Sequence, residues 1–239
     1  MKTQNHDLGV STDLEALDRF INVNGLFLVD AGCGNMHLSR ALAERGARVL
    51  AIDPDPVQAK ENQTAEIIAN VGFAQIGADA VPVESQSVDG VLFSYSLHHV
   101  PADQYAAVFN EMTRIVKPAG FVYVVEPVAS GELNEVMRLF HDEQAVRETA
   151  QSFLDQFAFK YFNTVDVINY RVPIQYRSWE EFASKYAAKS YNTNYTESQV
   201  RAGPVKERFI ELGEARGYAF ESPVKVTYLR NVYPQTAGG

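Results

Sequence analysis

Apolar residues in the first half of this chain gather into short runs, separated by polar stretches with helical spacing. Leu26 to Val29, Arg48 to Ile52, Phe73 to Ile76, Val88 to Ser94 and Phe121 to Val125 are of strand length and rich in Val, Leu, Ile and Phe, the pattern of strands buried on both faces. Between them the period changes. Met36, Leu38, Leu42 and Ala43 recur at helical spacing within Asn35 to Arg45. Asp55-Pro56 is a helix start, an N-capping acid followed by proline at the first helical position, and that helix is expected to reach Ala69. Asp103 to Val116 reads as a helix stopped by Pro118. Strands alternating with helices predict a parallel sheet covered on both faces. Ahead of the first run, Thr12 to Ile21 spaces its apolar residues as a short amphipathic helix, and the polar residues 1 to 11 are expected to be mobile.

Past Pro127 the pattern loosens. Glu132 to Phe159 is helical by periodicity, in more than one segment. Ser178 to Glu181 and Thr196 to Gln199 each fit a capping box, so helices should begin there. Tyr161 to Tyr176 alternates loosely and is β-rich, interrupted by Pro173, and Tyr218 to Tyr233 is long enough for a strand with a bend at Pro223. Six of the twelve tyrosines fall between Tyr161 and Tyr195, interleaved with asparagines. Rings with a polar tip suit a pocket for a planar or amphipathic molecule, and they suit hairpin or homodimer packing equally well. Tyr170, Arg171, Tyr191 and Tyr195 are the candidate substrate contacts, with Tyr191 to Tyr195 as a loop that closes over the site; a surface ion pair is the alternative for Arg171.

Composition narrows the picture. With 239 residues and 46% hydrophobic content, one full core is within reach, and the chain is expected to be a single domain. The single cysteine, Cys33, excludes a disulfide framework and a cysteine zinc cluster, and points to a reducing, cytoplasmic setting. No leader-like or membrane-length apolar stretch is present in the sequence. A net charge of −9 without a basic cluster argues against a nucleic-acid partner.

The chemistry is concentrated in Leu26-Phe-Leu-Val-Asp-Ala-Gly-Cys-Gly34. A buried strand breaks there into a glycine turn at a helix N-terminus, where backbone N–H groups approach a ligand closely. The next run delivers Asp53 to the carboxyl end of its strand, placed to accept from both hydroxyls of a ribose. A nucleoside-containing cofactor follows. A dinucleotide fingerprint would need a third glycine where His37 stands, and Asp30 would repel a pyrophosphate. That acid instead suits a ligand carrying an ammonium and a sulfonium.

Val29-Asp-Ala-Gly-Cys-Gly34 resembles the first motif of the class I S-adenosylmethionine-dependent methyltransferases, and further stretches follow in that family's order. Ile52-Asp-Pro54 resembles its ribose-binding acid with the adenine-flanking neighbour. Gly77-Ala-Asp-Ala-Val-Pro-Val83 resembles its adenine-binding stretch, with Val83 where an aromatic is common. Ser87 to Pro101 resembles its fourth strand and following loop. Glu111 to Glu126 resembles the helix, turn and fifth strand of the ubiquinone/menaquinone-biosynthesis type, methyltransferase type 11, with Ala119 where glycine is usual. The likeness spans roughly residues 25–128.

The resemblance implies a Rossmann-like α/β fold: a seven-stranded, mostly parallel sheet with an antiparallel edge hairpin, helices on both faces, and a helical lid insertion at about 130–217. It implies S-adenosylmethionine as cofactor, held by Asp30, Gly32, Cys33, Gly34, Asp53, Pro54, Asp79, Ala80 and Ser94. Transfer to an oxygen, nitrogen or carbon atom of a small-molecule acceptor, aromatic or quinone-like, would proceed by in-line displacement. His98, His99 and Tyr95 are the candidate catalytic groups, since a histidine at the end of the fourth strand is placed to take a proton. The bland alternative is that His98-His99 shapes the loop. No metal ligand set is expected. The rival readings are a non-catalytic S-adenosylmethionine-binding protein and a nicotinamide-dinucleotide oxidoreductase.

Overall fold

The polar N-terminus is a strand rather than a mobile tail. In the computed structural model, which describes residues 2–188 and 194–232, β1 (Lys2–Val10) runs parallel to a late strand, Phe162–Gln175. Sequence pattern alone missed it because the pairing is carried by backbone hydrogen bonds; of its side chains, His6 and Leu8 are half-buried and most others face solvent. Helix α1 (Asp13–Phe20) follows, capped by Thr12, whose side chain accepts from the Glu15 N–H while Glu15 reaches back to the Thr12 N–H.

The alternating core comes next: β2 (Phe27–Ala31), α2 (His37–Glu44), β3 (Arg48–Ile52), α3 (Pro56–Thr64), β4 (Val71–Ala74), β5 (Val88–Ser94), α4 (Tyr105–Ile115) and β6 (Val116–Pro127). Asp55 caps α3 as expected, but the helix ends at Thr64, short of Ala69, and Ile67 beyond it is 94% exposed. The stretch expected to form the lid holds α5 (Glu132–Met137), α6 (Gln144–Phe157), α7 (Trp179–Ala187), α8 (Glu197–Val200) and α9 (Gly203–Gly213), with β7 (Phe162–Gln175) between α6 and α7 and β8 (Ala219–Val232) after α9. Ser178 and Thr196 cap α7 and α8.

The sheet has eight strands, ordered β1-β7-β8-β6-β5-β2-β3-β4, one more than expected. β8 is antiparallel to both β6 and β7, and all other pairs are parallel. The late hairpin is therefore present, but β1 and not the hairpin occupies the edge. Helices cover both faces with separate apolar cores. On one face α4 and α6 bury Val122, Val124, Phe109 and Leu154; on the other α1 and α2 bury Leu17, Leu42, Tyr123 and Val125. A third core belongs to the lid, where Phe140, Tyr176, Phe182, Tyr186, Phe209 and Phe220 pack ring on ring. Burying that much aromatic area gives the lid cohesion of its own.

Candidate functional site

The carboxyl ends of β2, β3, β5 and β6 meet along one rim of the sheet, and acids stand at three of them. Asp30 lies within β2, 1% exposed, and accepts a 2.5 Å hydrogen bond from Ser39 Oγ on α2. Burial, partly countered by Ser39 and reinforced by the charge of Asp53, pushes its pKa up to about 6. Gly32 and Gly34 follow with φ of +72° and +50°, a conformation that side chains other than glycine rarely adopt. Gly32 has a second reason: a Cβ there would lie 2.5 Å from Ser96 Cβ. Ser96 Oγ donates to the Ala31 carbonyl at 2.6 Å and locks the β5 loop against the turn. His37, at the position of a third glycine, opens α2.

Asp53 Oδ2 accepts from the Gly34 N–H and Oδ1 from the Asp55 N–H, both at 2.9 Å. A carboxylate has about four lone-pair sites, so about two remain. Asn62 of α3 donates to the Gly34 carbonyl at 2.7 Å, while the buried Gln58 Oε1 beside the turn has no hydrogen-bond partner among the described residues. Cys33 is buried with its thiol pKa pushed up by that burial. Asp79 and Ala80 are exposed after β4, and Asp79 leans over Gly77. Pro54 is exposed and Ser94 half-buried at the end of β5. These nine positions lie at or after the carboxyl ends of β2, β3, β4 and β5, the side on which open α/β sheets hold their ligands. The buried acids, the unpartnered amide oxygen and the glycine cradle fit a cationic nucleoside ligand.

The candidate catalytic groups separate onto opposite faces. Tyr95, at φ +56°, turns toward α1 and its hydroxyl donates to Asp13 Oδ1 at 2.9 Å. Tyr170, 2% exposed, donates to the same oxygen at 2.6 Å. The buried Tyr123 hydroxyl nearby has no partner among the described residues. On the α6 face, the turn Leu97–His99 presents both histidines, with ring centroids 4.1 Å apart. Glu126, 2% exposed at the end of β6, accepts from the Leu97 and His98 backbone N–H groups at 3.0 and 3.3 Å, and its other oxygen meets His98 Nδ1. With Glu126 as acceptor, His98 donates from Nδ1, and its Nε2 is left toward Glu143, 3.8 Å from Oε1.

Glu143, just before α6, receives His141 Nε2 at 3.1 Å and Arg147 at 2.6 Å. Burial opposes its charge, but the His141 hydrogen bond and the Arg147 charge outweigh it and hold its pKa at about 2. His99 is pulled down to about 4 by burial and by the neighbouring His98. The substrate candidates do not converge. Arg171 pairs with Glu221 at 2.7 Å on the surface, Tyr195 packs on Phe140 and His141 in the lid, and Tyr191 lies outside the described residues. Replacing Arg171 by alanine is accordingly expected to shift stability by less than about 1 kcal/mol in thermal denaturation, as for other exposed ion pairs.

Sequence reasoning did not single out Glu126, Asp13 or Glu143. Glu126 had a readable signal, an acid ending an apolar strand, as at Asp30 and Asp53. Asp13 and Glu143 had none, because tertiary folding alone brings them to the rim.

The fold is Rossmann-like, a mostly parallel sheet with helices on both faces. Comparison with known proteins makes this specific: residues 29–124 match the family model described as Methyltransferase domain. A ubiquinone biosynthesis O-methyltransferase of Pseudomonas fluorescens is 36% identical over 110 residues, 45% of this chain and 47% of that protein. The chain thus spans about half the length of the curated relatives it matches. Among solved structures, a type II methyltransferase, so described, from Anaeromyxobacter dehalogenans superposes with a TM-score of 0.60 at 21% identity, covering 92% of this chain and 97% of that one. A protein from Bacillus halodurans, described as a methyltransferase, gives 0.59 at 16% identity, covering 92% and 99%. These two extend the likeness in fold across the lid. Among the described residues, no helix is long and apolar enough to cross a membrane.

Proposed function

We propose that this chain transfers a methyl group from S-adenosylmethionine to a small-molecule acceptor. The observation that carries this reading is the glycine turn set between two buried acids, Asp30 and Asp53, at the ends of adjacent strands. When bound, the cofactor supplies a methyl group already activated on a cationic sulfur. The protein's task is then positioning and exclusion of water. Asp53 has lone pairs left for ribose hydroxyls, and Asp79 and the Ala80 N–H are open to an adenine edge flanked by Pro54. Gly32 to Gly34 let the backbone lie against the methionine portion, with Cys33 as packing and Asp30 behind the turn offsetting an ammonium. Ser94 marks the strand end nearest the methyl. Tyr95 and the pair His98-His99 flank that point from the two faces.

The relatives' printed names make hydroxyl groups on aromatic or quinone-like acceptors the first class to screen; nitrogen and carbon acceptors come next. The lid, residues of about 130–217, would cover that acceptor. A reducing, cytoplasmic setting accords with the single buried Cys33, and a homodimer is tested by light scattering. The central experiment is calorimetric titration with S-adenosylmethionine and S-adenosylhomocysteine, followed by acceptor-dependent formation of S-adenosylhomocysteine. Binding without turnover across the acceptor classes would favour a non-catalytic binding protein. Absence of binding, with a nicotinamide dinucleotide taken up instead, would overturn the proposal.

One pH effect follows from Asp30. Its pKa of about 6 in the free protein reflects burial of the charged form. A cationic ligand nearby favours that charged form, so binding lowers the pKa and expels a proton. Affinity should therefore rise as pH increases toward about 6 and level off above it. Titration near pH 5.5 in buffers of different ionisation enthalpy should show up to about one proton released per cofactor bound. Zero release would mean that Asp30 does not sense the ligand's charge.

A further inference from the structure

We infer that His98, His99 and Glu143 form a binding site for one divalent cation of the first transition row, with zinc as its reference occupant. The side chains come from two separate elements, the turn after β5 and the start of α6. Their donor atoms, an imidazole nitrogen from each histidine and a carboxylate oxygen, lie within 4.8 Å of one another. His98 Nε2 is 3.8 Å and His99 Nδ1 is 4.0 Å from Glu143 Oε1. Both separations are too long for hydrogen bonds. Two ligands each about 2.1 Å from a zinc ion stand roughly 3.0–3.5 Å apart, so inward shifts of about half an ångström to one ångström would close the set.

The surroundings are those of a supported ligand set. Metal-bound histidines characteristically donate their second ring N–H to a carboxylate, which fixes the ring and aims the other nitrogen at the ion. Glu126 does this for His98, and is itself pinned by the Leu97 and His98 N–H groups. Glu143 is steadied by Arg147 on Oε2 and by His141 on Oε1, an oxygen that keeps a second lone pair. Two imidazoles and one carboxylate favour zinc, cobalt or iron over magnesium or calcium, which prefer all-oxygen shells. His98 is buried, but the His99 side chain is 35% exposed, so the set is reachable from solvent. An ion there would hold an acceptor's oxygen beside the end of β5. That role, unlike the site itself, rests on the methyl-transfer reading.

The test uses the untagged full chain, stripped with a chelator and titrated with Zn²⁺ by calorimetry and with Co²⁺ by visible absorption. One ion per chain is expected, with a cobalt spectrum showing nitrogen ligation. His99→Ala and Glu143→Gln should each weaken Zn²⁺ binding by about 100-fold or more, and Glu126→Gln by about 10- to 100-fold. Thermal melting of the same samples reports whether each variant is folded, and S-adenosylhomocysteine titration of the wild type tests the methyl-transfer reading separately. Failure of the wild type to bind either ion, or binding unchanged in both His99→Ala and Glu143→Gln, overturns the site. Cation binding without S-adenosylhomocysteine binding would instead refute the methyl-transfer reading and leave the site standing.

Discussion

Replacing Asp53 by alanine is expected to weaken S-adenosylhomocysteine binding by about 10²–10³-fold. Hydrogen bonds to a charged group are worth about 1.5–3 kcal/mol each, and Asp53 offers two to the ribose; a loss of about 3–4 kcal/mol corresponds to that factor. The substitution acts on the site twice. Beyond the ribose contacts, it strips the Gly34 and Asp55 N–H groups of the acceptor that fixes the glycine turn to the start of α3. Asp53→Asn keeps an acceptor oxygen without the charge, and should fall between the two. Calorimetric titration of the three proteins makes the comparison, and thermal melting of the free forms separates lost turn rigidity from lost ligand contacts. An alanine variant that binds within about threefold of the wild type would remove the ribose assignment.

The second large effect is expected at Gly32, where a single methyl group meets two obstacles. Alanine at φ +72° costs about 1–2 kcal/mol in backbone strain. Its Cβ, 2.5 Å from Ser96 Cβ, adds an overpacking cost of about 1–3 kcal/mol. The sum, about 2–5 kcal/mol, should lower Tm by roughly 5–15 °C in a chain of this size. The two causes are separable. In the Ser96→Gly background the collision disappears while the φ strain remains, so Gly32→Ala should cost about half as much there. Ser96→Gly alone loses the bond to the Ala31 carbonyl, and the double-mutant cycle removes that common term. Equal costs in both backgrounds would show that the turn shifts away from Ser96.

These two residues belong to the part of the molecule most readable from sequence, and there is a physical reason. Central parallel strands are buried on both faces, so β2, β3 and β5 are near-continuous apolar runs whose ends are marked by an acid or a polar residue. β5 was predicted as Val88 to Ser94 and spans those residues. The glycine turn is legible for the same reason, since its conformation admits few other residues. Legibility fails where pairing is driven by backbone or by distant partners. β1 has no apolar stripe, and its place at the edge depends on β7. Tyr170 resembled a pocket residue by composition, yet its hydroxyl is committed to Asp13 across 157 positions of chain. Glu143 carried no sequence signal, although it closes the cluster opposite His98 and His99.

The β1–β7 pairing also has a temporal meaning. Residues at the very start of the described chain hydrogen-bond to Thr164 and its neighbours, and Asp13 takes its two tyrosine hydroxyls from residues as far on as Tyr170. During synthesis the first strand and helix emerge long before their partners exist. The central strands β2 to β5 are able to pair among themselves while the opening segment waits, unsheltered, for the last third of the protein. Loop closure over such a span is slow, because its entropy is spent before any contact forms. The pairing of β1 with β7 would then come late in folding, bringing Asp13 to Tyr95 and Tyr170 only once β7 has joined the sheet.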